Sequence, residues 1–293
     1  MVILIYFAII LASVTERGST KFFQRYASDS SVFNAIKALS SLILFATMAM
    51  VGFSFHLPTL LFGLVYGIGL CISMYAGYQA LRLGPMALTS MLVSFSVLIP
   101  FLWGVLFEHE SLNLIRIFGV ILLLSAMFLI NWDKLVHRPV HERNEPTVVK
   151  RRGGTWLLFV GTTFLCNGIC SILQKRHQTL YPEAYTDEFM FFAMLLCALI
   201  FSVTSLRKNT LSGIWKIKGK WLGALSGVTN GLANFLTLSL AGFENASVLF
   251  PVISAGNLLG VLLCGRILFH EKLRGNHYAA LICGMLSVIL LKL

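Results

Sequence analysis

Two short stretches, FEHESL at 107–112 and LFHEKL at 268–273, decide how this chain is built. Each places a His-Glu pair at the end of a long apolar run, with a Leu two residues later. His-Glu is also half of the zinc-binding helix pattern H-E-x-x-H, which needs a second His one turn on. That position holds Asn113 in the first copy and Arg274 in the second, so neither copy makes a metal site. What remains is the repetition itself, at a spacing of 161 residues. At this spacing Leu88 falls on Leu249, Gly104 on Gly265, Ile121 on Ile282 and Leu129 on Leu290. At 160, Gly63 and Gly67 fall on Gly223 and Gly227; near 154, STKFFQ (19–24) lies over ILQKRH (172–177), setting Lys21 on Lys175. The chain therefore reads as two halves, 1–131 and 154–293, joined by a basic polar linker at 132–153. The Glu of each copy lies in a short turn, available to the N-terminus of the next helix.

Between these landmarks the sequence is apolar. It is 57% hydrophobic and 12% charged, about half the charge of an ordinary soluble domain, with a mean hydropathy of +0.81. Runs of roughly 20 apolar residues, enough for a helix to cross the hydrocarbon core, recur along the whole length. They lie near 2–23, 32–53, 58–81, 86–107, 112–131, 154–174, 188–206, 219–241, 247–269 and 276–293. The expectation is an all-α integral membrane protein with ten transmembrane helices, multi-pass in the plasma membrane. MVILIYFAIILASVTERGS (1–19) lacks the basic start of a secretion signal and is counted as the first span. All six cysteines fall inside spans, where thiols behave as small hydrophobes. No disulfide, metal or cofactor is expected.

Five spans per half is an odd number, so the second half enters the membrane upside down relative to the first. Two inverted five-helix repeats are a mark of secondary transporters, with the solute site near the bilayer midplane between them. The odd-numbered connections carry 17 Lys and Arg, concentrated in 134–152 and 207–220. The even-numbered connections and the termini carry four, Arg116, Lys175, Arg176 and Lys292, while Lys37 and Arg266 lie inside spans. Because cytoplasmic loops retain Lys and Arg, both termini are placed outside. The net charge of +11 then belongs to the membrane surface and implies no nucleic acid. RKNTLSGIWKIKGK (207–220) reads as a segment lying on anionic lipid, at ~1 kcal/mol per charge.

The stretch GLVYGIGLCISMYAGYQALRLGPMALTSMLVSFSVLIPFLWGVLFEHESL (63–112) resembles the third and fourth spans of the EamA-type drug/metabolite transporters. GALSGVTNGLANFLTLSLAGFENASVLFPVISAGNLLGVLLCGRILFHEKL (223–273) resembles their counterpart in the second half. The resemblance covers essentially the whole chain. It implies transport of small organic solutes by alternating access, without naming one. It also implies cytoplasmic termini, the reverse of what the charge distribution gives.

Polar side chains at mid-bilayer depth are costly and are candidate site residues by default. Glu16 lies deep in the first span. Small multidrug exporters, related at superfamily level, carry an essential Glu in their first helix. Aligning GSTKFF (18–23) with their similar stretch sets that Glu over Ser13, with Glu16 three residues on and on nearly the same face. A carboxylate there would carry a proton or bind a cationic group. Asn230 and Asn234 stand one turn apart on the eighth span and suit a polar head group. Tyr75 and Tyr78, with Gln79, share a face of the third span and suit an apolar or cationic solute. Asn167, the nearest counterpart of Ser13, completes the set, with Ser254 and Asn257 of the ninth span beside it. The competing reading of each is packing glue or an interfacial aromatic anchor. Gly219, Gly223, Gly227 and Gly231 form a smooth strip for close helix approach, and Pro100 and Pro251 are positions for kinks.

An enzyme is not expected. A hydrolase needs a nucleophile and a base at one depth, and every His is placed at a span end or in a loop. Most connections are too short for the re-entrant filter of a channel. The functional expectation is a secondary transporter or exchanger for a small metabolite or drug-like solute, the alternative being a membrane scaffold or sensor without transport. The partners considered are the solute, H+ or a counter-solute for coupling, membrane lipid, and a second copy in a homodimer.

Overall fold

The computed structural model describes residues 2–23, 30–50, 52–83, 89, 92–108, 110, 113–136, 148–207, 219–268 and 275–292. Ten α-helices make up nearly all of them, and no strand occurs among the described residues. They are α1 (Val2–Phe23), α2 (Ser30–Ala49), α3 (Leu57–Leu83), α4 (Leu98–Phe107), α5 (Leu114–Val136), α6 (Val148–Leu180), α7 (Thr186–Arg207), α8 (Lys220–Ala241), α9 (Ala246–Leu268) and α10 (Gly275–Lys292). Each falls on one expected span. Five of them, α1, α2, α3, α6 and α7, are long and apolar enough to cross a membrane. Their outward faces are apolar as well: Ile3, Leu4, Phe7 and Leu11 of α1 are all exposed. A helix that is hydrophobic all round belongs in a core or in lipid.

The ends differ from expectation in two places. α5 continues to Val136 and α6 begins at Val148, because NWDKLV and VVKRR contain no Gly or Pro to stop a helix. Only 137–147 of the expected linker lies outside the described residues. α6 also runs on to Leu180, which brings His177 inside the helix rather than at its end. In the fourth span a 3-10 turn at Phe95–Val97 precedes α4. Pro100 lacks an N–H and its ring crowds the carbonyl one turn back, at Ser96, which accounts for the tightened turn there. Pro251 by contrast sits inside an unbroken α9.

The chain forms two compact units, residues 1–71 with 173–244 and residues 72–172 with 245–293. In the first unit α8 packs on α1 and α2, and α2 packs on α7. The glycine strip of α8 faces α2: Gly223 meets Ile36, and Gly231 meets Phe45. Gly227 lies so close to the Lys37 carbonyl and Ser40 Oγ that a methyl group there would collide with both. Ser41 Oγ donates to the Gly227 carbonyl at 2.6 Å. Gly63 and Gly67 of α3 rest in the same way on the α7 backbone at Phe189 and Ala193.

In the second unit α5 packs along α10, and α9 packs on α4 and α10. Leu291 covers Gly119, and Ser287 Oγ donates to the Gly119 carbonyl at 2.7 Å. The repeated Glu does an unexpected task here. Glu110 does not serve α5, whose start is met by Asn113. Its carboxylate accepts the first N–H groups of α9, from Ala246 at 2.7 Å and Ser247 at 2.9 Å. This is a favourable place for negative charge. Gly104 makes it possible, since a methyl group there would stand 2.7 Å from the Glu110 carboxylate. His109, His270 and Glu271 lie outside the described residues.

Candidate functional site

In the first unit Glu16 is closed by a neighbour. Lys37 Nζ of α2 donates to Glu16 Oε1 at 2.5 Å, both side chains being largely buried, and Thr20 and Ser226 stand at 3.4 and 3.5 Å. Thr20 and Ser226 also bond each other at 3.1 Å. A buried charge that keeps a charged partner is neutral as a pair, and removing one partner strands the other. The carboxylate singled out from the sequence thus holds α1, α2 and α8 together. Lys37 was visible as a Lys inside a span and is the partner that sequence reasoning left unplaced. Ser13 is half-buried on α1.

The second cluster of this unit is uncharged. Tyr66 Oη of α3 donates to Asn234 Oδ1 of α8 at 3.0 Å, and Gln174 Nε2 of α6 donates to Tyr66 Oη at 3.2 Å. Gln174 also stands 3.5 Å from the Asn234 carbonyl, and Asn234 Nδ2 donates back to the Asn230 carbonyl at 2.9 Å. Tyr66 lies nine residues from the start of α3, Gln174 six from the end of α6 and Asn234 seven from the end of α8. At 1.5 Å per residue this sets the cluster about 9–14 Å along each helix from its nearer end. Asn230 is half-buried beside it. Lys175, next on α6, turns away and donates to the carbonyls of Ala241 at 3.1 Å and Glu244 at 2.7 Å. It is a buried C-terminal cap for α8 rather than a surface charge, and so drops out of the loop-charge comparison.

Tyr66 and Gln174 belong to two polar stripes that a heptad count reveals. Thr59, Tyr66 and Ser73 recur every seven residues on α3; Asn167, Ser171, Gln174, His177 and Gln178 share one face of α6. In the first unit Thr59 bonds His177 and Tyr66 bonds Gln174. In the second unit Ser73 Oγ donates to Asn167 Oδ1 at 2.5 Å, and Gly77 faces Thr163. Asn167 is therefore paired within its unit, as a polar residue on an otherwise apolar helix should be.

The remaining candidates are more peripheral. Tyr75 is 56% exposed and meets only the edge of Phe159 among the described rings, at 6.4 Å. The Tyr78 side chain lies outside the described residues. Asn257 is half-buried, with a sheltered Oδ1 that has no hydrogen-bond partner among the described residues. No group of three or more His, Cys, Asp and Glu suited to a metal ion occurs among the described residues.

No protein-family model matches the sequence, and no curated protein matches it. A solved crystal structure does match the fold, with a TM-score of 0.76 over 98% of this chain and 95% of that one, at 16% identity. The helical architecture is thus one already seen in a crystal; at that identity the likeness concerns the fold alone.

Proposed function

We propose that the protein is a ten-span, multi-pass transporter that carries a small organic solute across the plasma membrane by alternating access. It is read as two inverted EamA-type repeats, 1–131 and 154–293, with the termini outside. The observation that carries the reading is the Tyr66–Gln174–Asn234 cluster. Three uncharged polar side chains from three apolar helices gather well inside the helices' length, where polarity is expensive and functional by default. Their amide and hydroxyl groups both donate and accept, which fits a neutral polar solute. Glu16, held by Lys37, is a poor receptor for a free cation, and its role in this reading is to fix α1 and α2 against α8. The polar face of α6 and the glycine strips of α3 and α8 supply a seam and sliding surfaces for two alternating states.

The test is solute counterflow. Purified protein in liposomes loaded with an unlabelled solute, drawn from sugars, nucleosides, amino acids and amines, is diluted into the labelled solute. Transient labelled accumulation in wild type, lost in Asn234→Leu, is the expected result. A scaffold or sensor would show no accumulation with any solute, which would overturn the proposal.

A further inference from the structure

Gly63 and Gly67 are the first two steps of a ladder on α3 whose third step is a thiol. Gly63 faces the Phe189 carbonyl of α7 and Gly67 the Ala193 carbonyl, and a Cβ at either would stand 2.9 Å from that oxygen. One turn further along both helices, Cys71 Sγ lies 3.3 Å from Cys197 Sγ. The offset is 126 residues at each step, so α3 and α7 run in the same direction and hold one register through three successive contacts. Helix axes normally stay about 8–10 Å apart. Small residues at a contact bring the backbones closer, toward the separation of about 4.4–6.8 Å between Cα atoms that a disulfide needs.

Neither cysteine forms a disulfide in the structure. Cys71 Sγ donates to Cys197 Sγ, and Cys197 Sγ donates to the Gly67 carbonyl at 3.6 Å. Both are buried, Cys197 at 1% exposure and Cys71 at 6%, and the neighbours Ile68 and Ile72 of Cys71 are exposed. Cys71 is thus the less enclosed thiol of the two. No group of three or more His, Cys, Asp and Glu suited to a metal ion includes them among the described residues. Two sulfurs in contact without further ligands suit a covalent bond better than a metal, which takes three or four protein ligands. Cys71 lies 14 residues from the start of α3 and Cys197 11 from the start of α7. That is roughly 16–21 Å along helices long and apolar enough to cross a membrane. An oxidant acting at such depth has to dissolve in lipid.

We propose that Cys71 and Cys197 are a dithiol site that a lipid-soluble organic hydroperoxide oxidises to a reversible disulfide, locking α3 onto α7. Cys71 Sγ attacks the terminal oxygen of the hydroperoxide, R–O–OH. The O–O bond breaks, R–OH leaves with the thiol proton, and Cys71 becomes a sulfenic acid. Cys197 Sγ then attacks Cys71 Sγ, the S–O bond breaks, and the hydroxyl leaves as water with the Cys197 proton. Two thiols and one hydroperoxide give one disulfide, one alcohol and one water, with two electrons passing from sulfur to oxygen. Tyr66 lies next to Gly67 on the same helix, so the lock falls beside the Tyr66–Gln174–Asn234 cluster. The cross-link forms whether or not the protein moves a solute.

The experiment exposes the full chain in lipid vesicles to equimolar cumene hydroperoxide, blocks the remaining thiols and maps disulfides by mass spectrometry of unreduced peptides. The expected product is monomeric protein with Cys71 joined to Cys197, reopened by dithiothreitol. The oxidised protein should unfold roughly 5 °C higher, because the bond closes a long loop, and should return on reduction. Gly67→Ala keeps both thiols but pushes α3 off Ala193, and should slow the cross-link by roughly tenfold. Cooperative unfolding of reduced Gly67→Ala verifies that the variant is folded. Thiols that stay reduced, sulfinic acid at Cys71, or disulfides to other cysteines in place of this pair would overturn the proposal. So would an oxidised protein that unfolds no higher than the reduced one, or an unchanged rate in folded Gly67→Ala.

Discussion

Two polar clusters sit within one unit, and they differ in kind. Around Glu16 a charge meets a charge: the carboxylate, the Lys37 ammonium and two hydroxyls close on each other beneath the glycine strip of α8. Around Tyr66 the hydrogen-bonded groups given above are uncharged: a phenol, two amides and two backbone carbonyls. A buried ion pair resists rearrangement, because separating it strands two charges. A network of neutral groups exchanges partners at far smaller cost, about 0.6 kcal/mol per interhelical bond in measured membrane helices. In the proposed function the first cluster holds, and the second trades its bonds for those of a solute.

Breaking the ion pair should give the largest effect. Lys37→Met is expected to destabilise the protein by about 3–5 kcal/mol, and the pair Glu16→Gln/Lys37→Met by much less, as unfolding in detergent would show. Equal losses in both would mean that the pair contributes only packing. Gly227→Ala attacks the same region through space alone, forcing a methyl group onto the Lys37 carbonyl. A loss of about 1–3 kcal/mol is expected, with no change in which solutes bind. Tyr66→Phe removes the hydroxyl that joins Asn234 to Gln174. It should cost about 1–2 kcal/mol and weaken solute binding as well, a combination that separates the two clusters. Smallest of all, Tyr75→Phe should change stability by less than about 0.5 kcal/mol, since the ring is exposed. A larger loss of transport in Tyr75→Phe than in Tyr66→Phe would return the aromatic face of α3 to the site.

The ten helices were legible in the sequence because apolar runs of roughly 20 residues announce themselves, and the strip Gly219–Gly231 announced a close neighbour. The site was legible only in part. Asn234 and Asn167 stood out as amides in apolar surroundings, and both prove to be hydrogen-bonded across helices. Tyr66, Gln174 and Lys175 did not, because tyrosine is common in membrane helices and the two polar residues fell at or past the expected end of the sixth span, at 174. For Tyr66 and Gln174 the heptad relation to Thr59, Ser73 and Asn167 was the available signal. Glu16 is the opposite case: a carboxylate in a span is conspicuous, but its partner lies 21 residues away on another helix. Sequence spacing cannot show which turn of α2 comes to face α1. The same holds for Glu110, whose partner helix begins 136 residues later.

The most direct measurement is thermal unfolding against a library of neutral polar solutes and organic cations, for wild type, Glu16→Gln/Lys37→Met and Asn234→Leu. A ligand at 100 times its dissociation constant should stabilise the fold by ~2.7 kcal/mol. The expected result is a neutral solute that stabilises wild type and the double variant alike and leaves Asn234→Leu unmoved. Stabilisation by cations alone, lost in the double variant and kept in Asn234→Leu, would contradict the uncharged site and return the solute to Glu16.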